Sequence, residues 1–366
     1  MKKPLSLRSA LIFGGAGFVG SNWAQHLLKT TDARVHIFDN LSRRGVHQNL
    51  EWLRRECSDP DRLKVTIGDI RDAALVQRAV QMSSEIYHFA AQVAVTSSVA
   101  DPIADFEVNA LGTLNILEAA RKSGRQPFLL FTSTNKVYGN LSEKPLIVTG
   151  KRYCAVEEKG INESQPLDLY SPYGCSKGTA DQYVRDYSRM FALPTVVFRM
   201  SCVAGPQQFG TEDQGWVAHF LYSALQNKPL TIYGDGRQVR DVLSVKDLVL
   251  AFEKARAQME RTAGQIYNVG GGIKNSVSLL EVIEIIEQMT GHRLCYSLQK
   301  PRPGDQPFYV TDFEKLTKHT GWKPKISVSQ NIEMIWKWWR DQRAETVVLP
   351  ISRTQPTLAA IPEAAS

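Results

Sequence analysis

The feature that most narrows the fold is a glycine-rich turn near the amino end. Leu11-Ile12-Phe13 reads as a short apolar strand, Gly14-Gly15-Ala16-Gly17-Phe18-Val19-Gly20 follows at once, and Asn22 to Lys29 is helical in pattern. Glycine is needed where a chain turns tightly and where backbone must approach a pyrophosphate closely. A helix starting there offers free N–H groups and the positive end of its dipole to the phosphates. Glycine turns are common on their own. Strand, glycines, helix and an acid about 20 residues on together make the dinucleotide fingerprint. Asp39 is that acid: it ends the second strand, Val35-His36-Ile37-Phe38, 19 positions after Gly20. A carboxylate there accepts the adenosine ribose hydroxyls and repels a 2′-phosphate, which favours NAD over NADP. Arg43 and Arg44 weigh the other way, because arginines beside this spot suit such a phosphate.

The first half continues in the same manner. Further strands are expected at Leu63 to Ile67, Glu85 to Phe89, Pro127 to Thr132 and Thr195 to Arg199, with helices at Ala73 to Met82, Phe106 to Ser123 and after Pro172. Strands alternating with helices imply right-handed βαβ units and a doubly wound, Rossmann-type parallel sheet. From about Gly205 the pattern is mixed, with a short strand at Leu230 to Tyr233 and helices at Trp216 to Gln226 and Ser278 to Met289. This suggests a dinucleotide domain over 1–200 with returning pieces near 235–270, an interleaved smaller α/β substrate domain over 201–343, and a disordered tail over 344–366.

Two positions after later strands extend the cofactor site. Asp69-Ile70 follows the third strand, where an aspartate can reach the adenine amine or simply close a turn. Ala90-Ala91 follows the fourth, where small side chains let a cofactor cross the strand end. His88 beside them reads as a packed histidine.

Charge and cysteines exclude other classes. The formal charge is +7, but no Lys/Arg run or aromatic-interleaved basic stripe accompanies it, so nucleic-acid binding is not expected. No apolar run reaches the roughly 18 residues of a membrane span. Cys57, Cys154, Cys175, Cys202 and Cys295 are an odd, scattered set without C-x-x-C, which implies no disulfide framework or metal site and a reducing cytoplasm.

Chemistry enters with Tyr173 and Lys177. Ser171 fits a helix N-cap and Pro172 the first helical residue, so residues 173 and 177 share one helix face. A free phenol has a pKa near 10, and a nearby positive charge favours phenolate. Tyr-x-x-x-Lys arises by chance in many helices, but here it accompanies the glycine turn and the run Phe131-Thr132-Ser133-Thr134-Asn135-Lys136-Val137-Tyr138-Gly139. A hydroxyl at the carboxyl end of a strand points into the crevice where such sheets bind ligands. Either Ser133 or Thr134 can bond a reacting oxygen there.

These segments, with Asp39-Asn40-Leu41-Ser42, Asn109-x-x-Gly112-Thr113 and Gly234-Asp235-Gly236-Arg237-Gln238-Val239-Arg240-Asp241, resemble the extended short-chain dehydrogenase/reductase superfamily of nucleotide-sugar epimerases and dehydratases, over residues 8–343. The resemblance implies Thr134, Tyr173 and Lys177 as catalytic residues and NAD as cofactor. It implies cofactor contacts from Gly14, Gly17, Phe18, Val19, Gly20, Asp39, Asn40, Asp69, Ile70, Ala90, Ala91, Tyr173 and Lys177. Arg240 and Arg302 match arginines that bind the substrate diphosphate. Members commonly pair through two long helices, which implies a homodimer or homotetramer.

Relatives that dehydrate their sugar carry a carboxylate directly after the catalytic threonine; this chain has Asn135-Lys136. Without that acid and base, reversible oxidation alone remains, which is epimerisation. Ser133-Thr134-Asn135-Lys136-Val137-Tyr138-Gly139, the insert from Asn140 to Tyr170, Ser171 to Lys177 and Asp213-Gln214-Gly215-Trp216-Val217 are similar to the CDP-tyvelose (CDP-paratose) 2-epimerase subfamily. This implies a nucleotide-sugar substrate contacted by Thr134, Asn135, Gln214, Trp216, Arg240 and Arg302. Side-chain chemistry does not separate C2 from C4 inversion, and a UDP-hexose 4-epimerase shares every superfamily residue; a non-catalytic NAD-binding protein of the same fold is the other alternative, and retention of Thr134, Tyr173 and Lys177 weighs against it. Trp216 equally suits a core position.

Overall fold

The computed structural model describes residues 8–156, 160–302 and 304–348. A seven-stranded parallel sheet forms its centre. In chain order the strands are β1 (Ser9–Phe13), β2 (Arg34–Asp39), β3 (Leu63–Ile67), β4 (Glu85–His88), β5 (Phe128–Thr134), β6 (Thr195–Met200) and β7 (Gln265–Val269). They lie side by side as β7-β6-β5-β4-β1-β2-β3. The chain runs outward from β1 to β3 and then returns to build the other half from β4. The carboxyl ends of β1 and β4 therefore flank the crevice where doubly wound sheets bind ligands. All seven residues of β5 are buried, as expected of a strand covered by helices on both faces.

Helices Phe18–Thr30, Val46–Glu56 and Val245–Ala257 cover one face through Trp23, Leu27, Leu50, Leu53, Leu248 and Phe252. Helices Ala73–Val80, Gly112–Lys122 and Ser171–Phe191 cover the other through Val76, Val80, Ile116, Leu117, Ala180 and Val184. A third core gathers Val217, Leu221, Ile232, Val282, Ile286, Ile332 and Ile335 from helices Trp216–Leu225, Leu279–Thr290 and Val328–Val348 and the strand Leu230–Tyr233. Leu316 and Trp322, from the stretch expected in the substrate domain, pack in the first core instead.

Three local differences from expectation have physical causes. The first helix begins at Phe18 rather than Asn22, because Gly20 is held in the helix against the Gly14 carbonyl; a Cβ there would come within 2.2 Å of that oxygen. The helix expected from Phe106 starts at Pro102 and contains a π-helical turn, Glu107–Leu111, before it resumes at Gly112. At the carboxyl end, the last helix runs through Val348, so the expected tail is helical at its start and residues 349–366 lie outside the described residues.

The insert from Asn140 to Tyr170 contains a hairpin, Leu146–Thr149 with Arg152–Ala155. It is fastened to the second half. The Tyr153 N–H donates to the Arg237 carbonyl at 2.9 Å, and its hydroxyl to Asp235 Oδ2 at 2.9 Å. Further on, Ile161 N–H donates to the Val310 carbonyl at 2.7 Å and Asn268 N–H to Glu163 Oε1 at 2.7 Å.

Among the described residues no helix is long and apolar enough to cross a membrane, and no group of three His, Cys, Asp or Glu side chains could hold a metal ion. All five cysteines are free thiols.

Candidate active site

The glycine turn shapes the first wall. Gly14 has φ +74°, and a Cβ there would fall 2.6 Å from the Ala90 N, so the turn sits directly on the end of β4. Gly17 precedes the helix and gives it no side-chain cap. A Cβ on Gly17 would meet only the Gly14 oxygen, at 3.2 Å, which leaves the outer face of the turn bare backbone. Uncapped N–H groups at Phe18, Val19 and Gly20 on such a face suit the phosphates of a dinucleotide. The donor set therefore fits NAD.

Asp39 is turned onto this loop. Its Oδ2 accepts the Ala16 N–H at 3.0 Å and its Oδ1 the Leu41 N–H at 2.9 Å. Burial pushes the carboxyl up, and those N–H groups oppose the shift. Each oxygen keeps a lone pair for a ribose hydroxyl. Arg43, which could have served a 2′-phosphate, is drawn across the cleft to the Gln214 side-chain oxygen. Asn40 donates to Asp69 Oδ2 at 3.2 Å. Arg71 grips Asp69 with both prongs, at 3.0 and 2.9 Å, and these bonds hold its carboxyl at about 2. Ile70 is buried behind it, against Gly112. The Ala90 N–H is committed to the Phe13 carbonyl at 3.0 Å, and Ala91 follows half-buried. His88 is fully packed: its Nε2 bonds the Thr113 hydroxyl at 2.9 Å, and burial drives its pKa far down, so it is neutral.

Tyr173 and Thr134 meet at the end of β5. The Thr134 hydroxyl lies close enough to the Tyr173 phenol to oppose the rise of its pKa, and both residues are 8% exposed. The Tyr173 N–H is held by Ser98 Oγ at 3.1 Å. Ser171, two residues earlier, has φ +72°, a conformation that costs a non-glycine residue of order 1–3 kcal/mol. It lets the Ser171 Oγ accept the Gly174 N–H at 3.2 Å, an N-cap bond in all but the formal helix boundary. Ser133, the other candidate hydroxyl, is buried without a hydrogen-bond partner.

The lysine behaves differently from expectation. Lys177 donates to the Thr132 carbonyl at 2.7 Å and lies 4.1 Å above the Phe131 ring. Burial pulls its pKa down to about 7, against Asp181 and Asp105. The phenol is pushed up to about 12, chiefly by burial, with Asp105 adding to the rise and Thr134 and Arg43 opposing it. Lys177 alone does not acidify it. Bringing such a phenol near neutrality takes roughly 7 kcal/mol of added positive charge nearby.

The expected substrate residues fall into two clusters. In the first, Asn135 Nδ2 donates to Gln306 Oε1 at 3.1 Å. Arg240, 7% exposed, donates to Asp305 Oδ1 at 2.7 Å, and Lys136 Nζ reaches the same oxygen at 3.3 Å and the Gly304 carbonyl at 3.2 Å. Burial alone would raise the Asp305 carboxyl; Arg240 and Lys136 reverse the shift and hold it low. In the second, Arg302 stacks 3.9 Å from the Tyr233 ring centre and pairs with Glu212 at 3.0 Å and Asp213 at 3.6 Å. Asp213 also accepts the Thr96 hydroxyl at 3.0 Å. Trp216 is half-buried at the edge of the third core and donates to Cys202 Sγ at 3.3 Å. Sequence reasoning had not singled out Lys136, Glu212, Asp305 or Asp105. Asp305 stands three positions after Arg302, and an acid that close to an expected anion-binding arginine is the available signal.

Residues 11–335 match the family model described as GDP-mannose 4,6 dehydratase. The chain is 42% identical to a CDP-paratose 2-epimerase of Salmonella typhi, over 90% of this chain and 98% of that protein. It is 32% identical to a dTDP-glucose 4,6-dehydratase of Salmonella typhimurium, over 90% and 92% respectively. Among solved structures, the NAD complex of the Thermus thermophilus UDP-glucose 4-epimerase aligns with a TM-score of 0.75 at 32% identity, covering 91% of this chain and 99% of that one.

Proposed function

Because the chain belongs to the GDP-mannose 4,6-dehydratase family, we propose that it is an NAD-dependent nucleotide-sugar epimerase inverting C2 of a CDP-deoxyhexose, as in conversion of CDP-paratose to CDP-tyvelose. The observation that carries this reading is the Thr134–Tyr173 hydroxyl pair followed by Asn135 and Lys136, where elimination would need a carboxylate. The Salmonella typhi relative supports the choice of carbon and nucleotide.

NAD, when bound on the glycine turn, supplies a hydride acceptor that returns the same hydride, and a positive charge beside the phenol. Tyr173, as phenolate, takes the C2 hydroxyl proton as that carbon is oxidised, and gives it back after the 2-keto sugar has presented its other face. Thr134 holds the reacting oxygen through its hydroxyl. Lys177 contributes a buried ammonium on the same helix face and binds the cofactor ribose. Arg240 and Arg302 hold the diphosphate while the sugar turns between them. Asp39 recognises the adenosine ribose, and with Arg43 engaged by Gln214 this favours NAD over NADP. The free thiols suit a reducing cytoplasm.

The deciding experiment incubates the protein with CDP-, UDP- and GDP-sugars in deuterated water and follows the sugar by NMR. The expected result is inversion at C2 of CDP-paratose without deuterium at that carbon. Inversion at C4 of UDP-glucose would replace this reading with the hexose 4-epimerase. Deuterium at the inverted carbon would replace oxidation with enolisation.

A further inference from the structure

Asp105 is a carboxylate 1% exposed, on the short helix Pro102–Phe106. Among the described residues, no lysine or arginine lies within salt-bridge distance of it. Its donors are the Ser176 hydroxyl and Asn109 Nδ2, the latter at 3.1 Å. Asn109 Nδ2 also lies 3.0 Å from Ser176 Oγ. Taking a carboxylate out of water is expensive unless a charge answers it. The positive charge that acts on it belongs to Lys177, next in sequence to the serine that holds it.

Resting on the assignment of Tyr173 and Lys177 as the acid–base pair, we propose that Asp105 is a positioning residue for that pair. Its buried charge, fastened to their helix through Ser176, keeps Lys177 an ammonium and Tyr173 a phenol until the substrate is in place.

The other charges nearby are already engaged. Asp181, one turn beyond Lys177, is held by both prongs of Arg199 from β6, at 2.9 and 2.8 Å. His88 from β4 is neutral. Glu107 is paired with Arg71. The groups that act on the Tyr173 phenol are Thr134, Asp105 and Arg43. Asp105 is thus the acid in this group with no arginine of its own, and its charge acts on both partners in the same sense. It holds up the Lys177 pKa that burial lowers, and it adds to the rise of Tyr173. Burial raises the Asp105 carboxyl itself, opposed by the Ser176 bond and Lys177.

Neutralising Asp105 therefore lowers both pKa values. The acid limb of the rate profile, which reports phenolate, and the alkaline limb, which reports loss of the ammonium, should both move toward acid by about one pH unit, while the height changes less. The test uses NAD-loaded wild type, Asp105→Asn, Asp105→Ser and Asp105→Glu, with pH profiles on CDP-paratose and UDP-glucose. A readout free of sugar is phenolate absorbance, taken as the difference between each protein and its Tyr173→Phe counterpart. The two neutral variants should shift together and the glutamate variant should keep the wild-type limbs and midpoint. Neutral variants that lose rate with unmoved limbs and midpoint, or a glutamate variant that shifts as far as they do, would overturn the role. A fully active Tyr173→Phe would instead overturn the acid–base assignment. An inactive Tyr173→Phe beside unmoved limbs in Asp105→Asn would remove Asp105 alone.

Discussion

Lys136 stands two residues past Thr134 and turns its amine to Asp305 beside Arg240. Two cations share one carboxylate, so the cluster keeps a net positive charge, which suits the diphosphate of the proposed substrate. We expect Lys136→Met to raise KM for the nucleotide sugar about 10–100-fold, the effect of losing one charge-assisted hydrogen bond. The turnover number should fall less, and Lys136→Arg should recover most of the affinity; steady-state kinetics would decide. For Tyr173→Phe we expect kcat to fall by roughly 10²–10⁴, the usual contribution of a positioned acid–base group. NAD content, measured after denaturing release, should stay at the wild-type level.

At the scale of elements, the π turn Glu107–Leu111 is the least regular part of a long helical run, and it carries Asn109. One Asn109 side chain serves Asp105, Ser176 and the Gln92 backbone, whose N–H and carbonyl it meets at 3.0 Å each. We expect Asn109→Ala to cost about 1–3 kcal/mol, because it strips donors from buried acceptors; urea unfolding would measure the loss.

The inner strands are visible for a plain reason: they are buried on both faces and read as apolar runs, β5 most of all, whereas the edge strand β3 has no buried residue and shows only through Val65, Thr66 and Ile67. The glycine turn and Asp39 are visible because few residue types fit such backbone and such a ligand. The π turn leaves no mark, since one extra residue barely disturbs helical periodicity. The hairpin Leu146–Thr149 with Arg152–Ala155 is equally silent, its residues being exposed or half-buried on both faces and so lacking alternation. Of the site, the hydroxyl pair and its lysine could be read from spacing. The direction of the lysine amine could not, because it depends on the Thr132 carbonyl and the Phe131 ring, both brought there by the sheet.

At the scale of the whole molecule, neighbouring segments present apolar side chains to solvent. Ile103 is 74% exposed and Phe106 54%, with Val99 and Leu111 nearby in sequence; on the helix Ser171–Phe191, Tyr183, Met190 and Phe191 are exposed. Exposed apolar side chains on elements that pack together suit an association face. We propose a homodimer through these helices. Light scattering should give twice the chain mass for the wild type and a single chain for Ile103→Glu combined with Met190→Glu.

The short stretch Glu212-Asp213-Gln214 touches Arg302 on one bank of the cleft and Thr96 and Arg43 on the other. A tether anchored on both shores cannot be slackened for one visitor alone. Energetic reciprocity then requires that, if a sugar nucleotide prising Arg302 from its acids loosens the hold on the dinucleotide, the dinucleotide weakens retention of the sugar by the same factor. Cutting the tether with Glu212→Gln and Asp213→Asn should make the two equilibria independent, visible as dinucleotide dissociation that no longer responds to added CDP.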